Sequence, residues 1–253
     1  MDFVKMEGLG NDFIVVEGPM EAPDPGDIQR WCARRFGIGA DGFLEVTPLD
    51  GDRISMRYWN ADGAPAEMCG NGLRCVARLA FERGWVGGRR FVVETAVGAR
   101  PVEILDEGVR AFLGAPHGFR TDVLAVAGAE VKPVGMGNPH AVVFVEDAQA
   151  APVGDLGPRI GTDPMFPGGT NVEFVQVIDA ERIGLRVWER GVGETLACGT
   201  GAAAAAYAAH EAGEVGRRVE VKLPGGELVV ELTEEGAWIE GPANIVFTGS
   251  IGR

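Results

Sequence analysis

Short segments with an apolar residue at every second position recur along the chain, which is typical of strands buried on one face. Three further segments near the C-terminus are separated by Pro-Gly-Gly and Glu-Glu-Gly, which predicts antiparallel hairpins. The predicted strands are 3–6, 13–17, 53–60, 142–145, 171–178, 184–189, 219–223, 227–232 and 238–240.

Two segments of small and apolar residues, 70–82 and 199–212, are predicted to be helices. Gly84 and Gly213 follow them, where helices commonly end. The alanine run 202–206 combines high helix propensity with no bulky polar face. The second helix is therefore expected to be buried on all sides.

A shorter helix is predicted from Asp27, as its N-cap, to Phe36, with Gly37 ending it. Cys32 lies on the apolar side of this helix and is expected to be a core residue. Cys75, inside the first long helix, is expected to be a core residue as well.

The segments 54–72 and 183–201 align without a gap, and the second lies 129 positions after the first. A tryptophan, a cysteine and both glycines of Cys-Gly-x-Gly coincide, so we interpret the chain as a duplication. The predicted fold class is α+β, with two pseudo-symmetric domains. Each domain is expected to wrap a curled, mostly antiparallel β-sheet around a central α-helix. The domains are predicted at 1–114 and 115–244, with a C-terminal strand at 245–253 returning to the first.

Each half places a cysteine, Cys69 or Cys198, directly before Gly-x-Gly where a loop leads into a helix. One such motif is compatible with a buried, inert thiol. Two in register favour reactive thiols, because the N–H groups and the dipole at a helix start stabilise a thiolate. A carboxylate between two such helix starts would receive donors from both. One thiolate would then remove the α-proton while the opposing thiol protonates the other face, which inverts the stereocentre.

The composition excludes several classes of function. The net charge of −14, with 23 Lys+Arg against 37 Asp+Glu, argues against a nucleic-acid surface. No apolar run approaches the ~18–20 residues of a membrane helix. The four cysteines form no CxxC pair and no cluster with histidine, so neither a disulfide framework nor a metal site is expected. None of the three lysines has a phosphate-binding context, so no pyridoxal cofactor is expected. The chain is expected to be a cytoplasmic protein that acts on a small molecule.

Two matched glycine-rich loops, 8–13 and 135–140, carry further candidates. The first contains Asn11, and its sequence fits an Asn-Asp turn equally well. The second contains Asn138 and His140, and a histidine beside a matched asparagine is a candidate for tuning a nearby thiol.

Polar residues also precede each cysteine, with Asn60 before the first and Glu189 and Arg190 before the second. A Glu-Arg pair is usually a solvated surface pair. At the end of a strand-like run, however, the arginine would be well placed to hold a second carboxylate.

Seven sequence blocks surround these residues. They are Lys5-Met-x-Gly-x-Gly-Asn-Asp-Phe13, Gly37-Ile-Gly-Ala-Asp-Gly42, Asn60-x-Asp-Gly…Met-Cys-Gly-Asn-Gly-x-Arg-Cys75, Gly137-Asn-Pro-His140, Gly169-Thr-Asn-Val-Glu-Phe174, Glu189-Arg-Gly-x-Gly-Glu-Thr-x-Ala-Cys-Gly-Thr-Gly201 and Gly241-Pro-Ala…Val-Phe247. Together they resemble the diaminopimelate epimerase family along the whole chain. Some members of the family carry Gln where Gly42 stands, so this chain is expected to lack a side-chain contact there.

The resemblance implies a cofactor-independent isomerase that converts LL-2,6-diaminoheptanedioate to its meso isomer, for lysine and peptidoglycan synthesis, as a cytoplasmic homodimer. It implies that Cys198 is the base toward the LL isomer and Cys69 the acid, with His140 and Glu189 tuning the thiols. The substrate-binding residues it implies are Asn11, Asn60, Gly70, Asn71, Asn138, Asn171, Glu189, Arg190, Gly199 and Thr200.

Three alternatives stay open from the sequence. A sister racemase resembling proline racemase would share the fold, although that family lacks the Glu-Arg-Gly run before the second cysteine. A thiol redox protein would switch Cys69 and Cys198 between thiols and a disulfide. A non-catalytic amino-acid-binding protein would need no matched thiols.

Overall fold

The computed structural model describes residues 1–66, 68–118 and 123–252. The chain divides into two compact units, one formed by Met1–Ala111 with Gly241–Arg253 and the other by Phe112–Glu240. The predicted domain ends, residues 114 and 244, lie a few residues beyond these boundaries. Arg253, the last residue of the predicted C-terminal strand, lies outside the described residues.

Unit 1 is a mixed sheet with two helices. Its elements are β1 (Asp2–Gly8), β2 (Asn11–Glu17), α1 (Pro25–Cys32), β3 (Gly42–Pro48), β4 (Arg53–Asn60), β5 (Pro65–Ala66), α2 (Gly70–Glu82), β6 (Arg90–Thr95), β7 (Gly98–Ile104), most of β8 (Val109–Gly114), and β18 (Asn244–Ser250). The sheet order is β18-β1-β2-β3-β4-β6-β7-β8. The β2–β3 and β4–β6 pairs are parallel and the other neighbours are antiparallel.

Unit 2 repeats this arrangement. Its elements are β9 (Leu124–Val126), β10 (Ala129–Gly135), β11 (Pro139–Phe144), α3 (Val153–Gly161), β12 (Asn171–Asp179), β13 (Arg182–Glu189), β14 (Gly193–Thr195), α4 (Gly199–Glu211), β15 (Arg218–Leu223), β16 (Gly226–Leu232) and β17 (Ala237–Gly241). The sheet order is β9-β10-β11-β12-β13-β15-β16-β17. The parallel pairs, β11–β12 and β13–β15, fall at the same places as in unit 1, and the predicted α+β class is confirmed.

The central helices α2 and α4 pack against several strands of their own units. Each has thirteen residues, and ten of them are buried. Ala202–Ala206 are fully buried, as the alanine run predicts. Gly84 and Gly213 adopt positive φ values of 68° and 76° directly after the helix caps, a backbone conformation that favours glycine.

The predicted bounds of the short helix are wrong. Helix α1 begins at Pro25 rather than after Asp27, because the Asp24 side chain accepts a hydrogen bond from the Gly26 amide and proline suits the first helical turn. It ends at Cys32 rather than Phe36, because the following chain turns back and Ala40 N–H donates to the Cys32 carbonyl.

Several elements were not predicted from the pattern, namely β3, β5, the β6–β10 strands, β14 and α3. Strand β11 also begins earlier than predicted, at Pro139, because Pro139 to Val142 pair with β10. No helix in the described part of the chain is long and apolar enough to span a membrane.

Candidate active site

The two cysteines of the duplicated motif are the N-caps of the two central helices. Cys69 precedes α2 in extended backbone conformation, and its Sγ accepts a hydrogen bond from Gly72 N–H at 3.4 Å. Cys198 precedes α4 in the same way, with Sγ 3.4 Å from Gly201 N. Both sulfurs therefore lie at the positive end of a helix dipole, where negative charge is stabilised.

In unit 1, side-chain amides connect to Cys69. The Cys69 thiol donates to Asn11 Oδ1 at 3.6 Å, and Asn71 Nδ2 donates to the same oxygen at 3.1 Å. Asn11 Nδ2 donates to Asp41 Oδ2 at 2.9 Å, which fixes the orientation of the Asn11 amide. The structure thus brings together three predicted site residues, Cys69, Asn11 and Asn71, and adds Asp41.

Arg74 continues this network and was not singled out from the sequence. Its side chain is fully buried, and Nη2 donates to Asn71 Oδ1 at 3.0 Å. Other guanidinium nitrogens donate to the carbonyls of Gly70 and Pro242 at 3.4 and 3.3 Å. Burial lowers the pKa of Arg74, while the negative charges that Cys75, Cys69 and Glu7 acquire on ionisation act to raise it. A buried cation therefore lies within electrostatic range of the Cys69 thiol.

Asn60 lies at the end of β4, and its backbone holds the turn that leads toward Cys69. Within residues 1–66, 68–118 and 123–252, no side chain or backbone group hydrogen-bonds to the Asn60 side-chain amide. Gly42 lies opposite Asn60 on β3, and a Cβ at Gly42 would stand 2.5 Å from the Tyr58 ring. Tyr58 therefore fills the space of a larger side chain at this position.

In unit 2, a buried histidine and glutamate pair lies near Cys198. His140, on β11, is 1% exposed, and its Nδ1 lies 2.7 Å from Glu173 Oε1. Its Nε2 lies 2.8 Å from Asn138 Oδ1. The hydrogen bonds thus connect two predicted site residues, His140 and Asn138, with Glu173.

Glu173 is the member of this pair that lies beside the Cys198 thiol. A Cβ built on Gly201 would stand 2.7 Å from Glu173 Oε1 and 3.3 Å from Cys198 Sγ, so both atoms border the same small space. Glu173 is fully buried, and its Oε2 has no hydrogen-bond partner among the described residues. Sequence reasoning included Glu173 in a family block and gave it no role.

The surroundings of Cys198 favour its neutral thiol. Burial raises the pKa of Cys198 well above its ordinary value, and the charges of Glu189 and Glu173 raise it further. The hydrogen bonds from Thr200 and Gly201 oppose this shift. Thr200 Oγ1 lies 3.5 Å from the sulfur.

The remaining predicted residues of unit 2 form a second cluster. Asn171 Oδ1 accepts from Arg190 N–H at 2.9 Å, and Asn171 Nδ2 donates to the Pro139 carbonyl at 3.1 Å. The Arg190 guanidinium donates to the Gly168 carbonyl at 3.3 Å. Asn171 therefore fixes the backbone of two neighbouring segments, which sequence reasoning did not foresee.

Glu189 is held by a hydrogen bond from Thr195 Oγ1, on the short strand that follows it. The predicted carboxylate donors, Gly70 and Asn71 in unit 1 and Gly199 and Thr200 in unit 2, occupy the first two positions of α2 and α4. Backbone N–H groups at these positions have no partner within their own helix. They can therefore donate to an anion.

The other two cysteines are core residues, as predicted. Cys32 and Cys75 are both buried, and burial raises the pKa of Cys32 to about 11. The pKa of Cys75 is raised further by the same cause. Among the residues that the structure describes, no three His, Cys, Asp or Glu side chains are grouped as metal ligands.

Comparisons with known proteins place the chain in a family. The family described as diaminopimelate epimerase matches residues 3–117 and 133–249. The diaminopimelate epimerase of Moorella thermoacetica is 46% identical over 275 aligned positions, which cover 98% of this chain and 98% of that protein. The diaminopimelate epimerase of Pelotomaculum thermopropionicum is 45% identical, with the same coverage.

Solved structures share the fold at low identity. A PhzF-family phenazine biosynthesis protein from Bacillus anthracis superposes with a TM-score of 0.76 at 17% identity, covering 100% of this chain and 99% of that one. A probable proline racemase from Agrobacterium radiobacter, solved with bound carbonate, gives 0.74 at 18% identity, covering 99% and 92%. At these identities the likeness concerns the fold alone.

Proposed function

The chain belongs to the diaminopimelate epimerase family, and on that premise we propose that it interconverts LL-2,6-diaminoheptanedioate and the meso isomer with two cysteines as acid and base. The observation that carries the proposal is the repeated cap geometry. In each unit a thiol begins the central helix, and the N–H group of the third following residue lies 3.4 Å from its sulfur.

Inversion at an α-carbon needs a base on one face and an acid on the other. In the proposed reaction Cys198 removes the α-proton of the LL isomer and Cys69 protonates the opposite face. The meso isomer reacts with these roles exchanged. The helix-end N–H groups of Gly70, Asn71 and Gly199 would stabilise the charge that develops on the substrate carboxylate, and Thr200 would contribute in the same way.

The remaining polar residues would hold the substrate. The proposed amide ligands are Asn11, Asn60, Asn138 and Asn171. Among the described residues no group hydrogen-bonds to the Asn60 side-chain amide, and this supports its role as a ligand for the substrate. Asn11 also orients the Cys69 thiol through its carbonyl oxygen.

The distal end of the substrate carries a second carboxylate and amine, which Glu189 and Arg190 are proposed to hold. An arginine binds a carboxylate with two parallel hydrogen bonds, which suits this role. Glu189 is also proposed to tune the ionisation of Cys198. Its charge contributes to the raised pKa of that thiol, which supports this role. His140 is proposed to act on the same thiol, and its hydrogen bond to Glu173 supports this.

The cellular setting is part of the proposal. The reaction would supply the meso isomer for lysine and peptidoglycan precursor synthesis, in the cytoplasm, by a homodimer that uses no cofactor. These features follow from the family resemblance.

Proton NMR in D₂O tests the function directly. Purified protein with a reducing agent and LL-diaminopimelate, without added cofactor, is expected to exchange deuterium into one α-position as the meso isomer appears. Proline and hydroxyproline, tested in the same way, are expected to show no exchange. Exchange with proline and none with diaminopimelate would replace the proposal with a sister racemase, and no exchange with any of them would favour a binding protein.

A further inference from the structure

The two units place different residues at equivalent positions beside their cysteines. In unit 1 the parallel β2–β3 pair sets Phe13 opposite Gly42, and in unit 2 the parallel β11–β12 pair sets His140 opposite Asn171. Two residues further along β3 and β12 lie Leu44 and Glu173. His140 is therefore the counterpart of Phe13, and Glu173 the counterpart of Leu44.

The glycine of each helix start confirms the equivalence. A Cβ built on Gly72 would meet the methyl groups of Leu44 at 3.3 and 3.4 Å. A Cβ built on Gly201 would meet Glu173 Oε1 at 2.7 Å. Leucine and glutamate thus fill the same space behind the two cysteines.

The fold itself does not require an ionisable pair here. Unit 1 fills the two positions with Phe13 and Leu44, and both side chains are fully buried. Unit 2 buries His140 and Glu173 to the same extent, although burying a carboxylate is unfavourable unless it is fully hydrogen-bonded. Glu173 Oε2 has no partner in the described part of the chain, so the pair is not optimised for stability.

We propose that Glu173 is a positioning residue for the reaction proposed above: with His140 it keeps Cys198 in its thiol form in the substrate-free protein. The inference rests on the proposed function only for its consequence in turnover. Its statement about the ionisation of Cys198 concerns the substrate-free protein and is tested without substrate.

The charges that face Cys198 explain the effect. Glu173 approaches from β12 and Glu189 from β13, and both disfavour a second negative charge on the sulfur. His140, on β11, is hydrogen-bonded through Nε2 to Asn138 Oδ1 and through Nδ1 to Glu173 Oε1. Hydrogen-bonded by His140, the Glu173 carboxylate lies beside the thiol.

Unit 1 has the opposite charge near its cysteine. Arg74 is buried on α2, and its counterpart 129 positions later on α4 is Ala203. No carboxylate lies within ion-pair distance of Arg74 among the described residues, so no ion pair neutralises its positive charge there. The buried charges near the two thiols therefore have opposite signs, and in the free protein Cys198 rests as the thiol.

The test is the pH dependence of alkylation of the substrate-free protein by iodoacetamide, followed by peptide mass spectrometry of each cysteine. The midpoint of each profile reports ionisation and is independent of how exposed the thiol is. In the wild-type protein the Cys198 midpoint is expected above the Cys69 midpoint. Glu173→Gln should lower the Cys198 midpoint by about 1 pH unit, the lower end of what a neighbouring charge produces. The Cys69 midpoint should not move.

Two control variants make the outcome specific. Glu173→Asp keeps the charge and should keep the high Cys198 midpoint. Glu227→Gln removes a carboxylate that is 60% exposed in the same unit and should shift neither midpoint. Circular dichroism establishes that each variant is folded.

The proposal is overturned if folded Glu173→Gln leaves the Cys198 midpoint unchanged, or if Glu173→Asp lowers it as far as the glutamine does. If Glu173→Gln does not fold, the wild-type comparison still decides, since a Cys198 midpoint at or below that of Cys69 contradicts the proposal. Absence of α-proton exchange with diaminopimelate would instead contradict the proposed function and leave the alkylation result standing.

Discussion

Cys69 and Cys198 accept the same hydrogen bond, each from the backbone amide of the glycine three residues later, at 3.4 Å. Both thiols are therefore held at helix starts, in units with the same strand order. Their surroundings differ, because amides and a buried arginine lie near Cys69, whereas carboxylates lie near Cys198. The duplicated scaffold thus supplies two similar thiol positions with buried charges of opposite sign nearby.

Replacing either cysteine should separate catalysis from binding. Cys69→Ser and Cys198→Ser are expected to lower turnover at least ~100-fold, because each removes one partner in proton transfer. Serine still accepts a hydrogen bond as a helix N-cap, so the fold should be kept. Calorimetric titration should show that diaminopimelate still binds. Cys32→Ala, in the core of unit 1, is the control and should turn over normally. Normal turnover in either serine variant would contradict the two-thiol mechanism.

Alanine at the two equivalent helix glycines should have unequal effects. Gly201→Ala places a Cβ 2.7 Å from Glu173 Oε1, so we expect a loss of roughly 1–3 kcal/mol in the free energy of unfolding, as for overpacked cores. Gly72→Ala places a Cβ 3.3 and 3.4 Å from the Leu44 methyl groups and 3.5 Å from Cys69 Cβ. Its gain in helix propensity, about 1 kcal/mol, should offset those contacts. Urea unfolding of both variants measures the difference, and equal effects would show that the glutamate does not constrain this site.

The buried Cys32 thiol should make stability fall at alkaline pH. Its pKa is about 11 in the folded protein and lower in the unfolded chain, so the unfolded chain loses the proton first as the pH rises. The thiol's contribution to stability is present below pH ~9 and is lost as the pH rises toward 11, by roughly 1.4 kcal/mol per pH unit.

Denaturant unfolding of the wild type and of Cys32→Ala between pH 8 and pH 11 measures the contribution of the Cys32 thiol to stability. The variant should be less stable at pH 8, because it leaves a void in the core. The difference between the two proteins should then shrink as the pH rises. A difference that stays constant across this range would mean that the thiol ionises as readily in the folded protein as in the unfolded chain.

Placing the apolar pair of unit 1 at the equivalent positions of unit 2 should lower turnover while the free energy of unfolding holds or rises. His140→Phe combined with Glu173→Leu reproduces Phe13 and Leu44 at equivalent positions. Replacing a buried charged pair with packed apolar residues is neutral or stabilising by roughly 1–4 kcal/mol, so unfolding free energy should hold or rise. Turnover should fall, because the groups that control Cys198 are gone. Glu173→Leu alone should be less stable than the double variant, since it leaves His140 Nδ1 without its partner. An unfolded double variant would show that the pair is needed for folding.

The sequence by itself determined the features that depend on local pattern. The Cys-Gly-x-Gly repeat and its offset predicted the duplication. Residues 70–82 were predicted as a helix with the bounds that α2 has, because helix propensity and the glycine after the helix are local signals. The core positions of Cys32 and Cys75 also followed from their places on helices. The error in α1 came from a local signal that was overlooked, since Asp24 and Pro25 together mark the helix start.

Only the tertiary structure decided which side chains surround each thiol. Glu173 stands in an apolar strand, and nothing nearby in sequence relates it to Cys198. The parallel pairing of β11 and β12 sets His140 beside the Glu173 strand, and the packing of α4 on β12 brings Gly201 against the carboxylate. Arg74 likewise has the sequence context of an ordinary polar residue in a helix, and only the structure shows that it is buried. These contacts join segments distant in the chain, so propensity and spacing carry no information about them, whereas strand register and helix packing fix them.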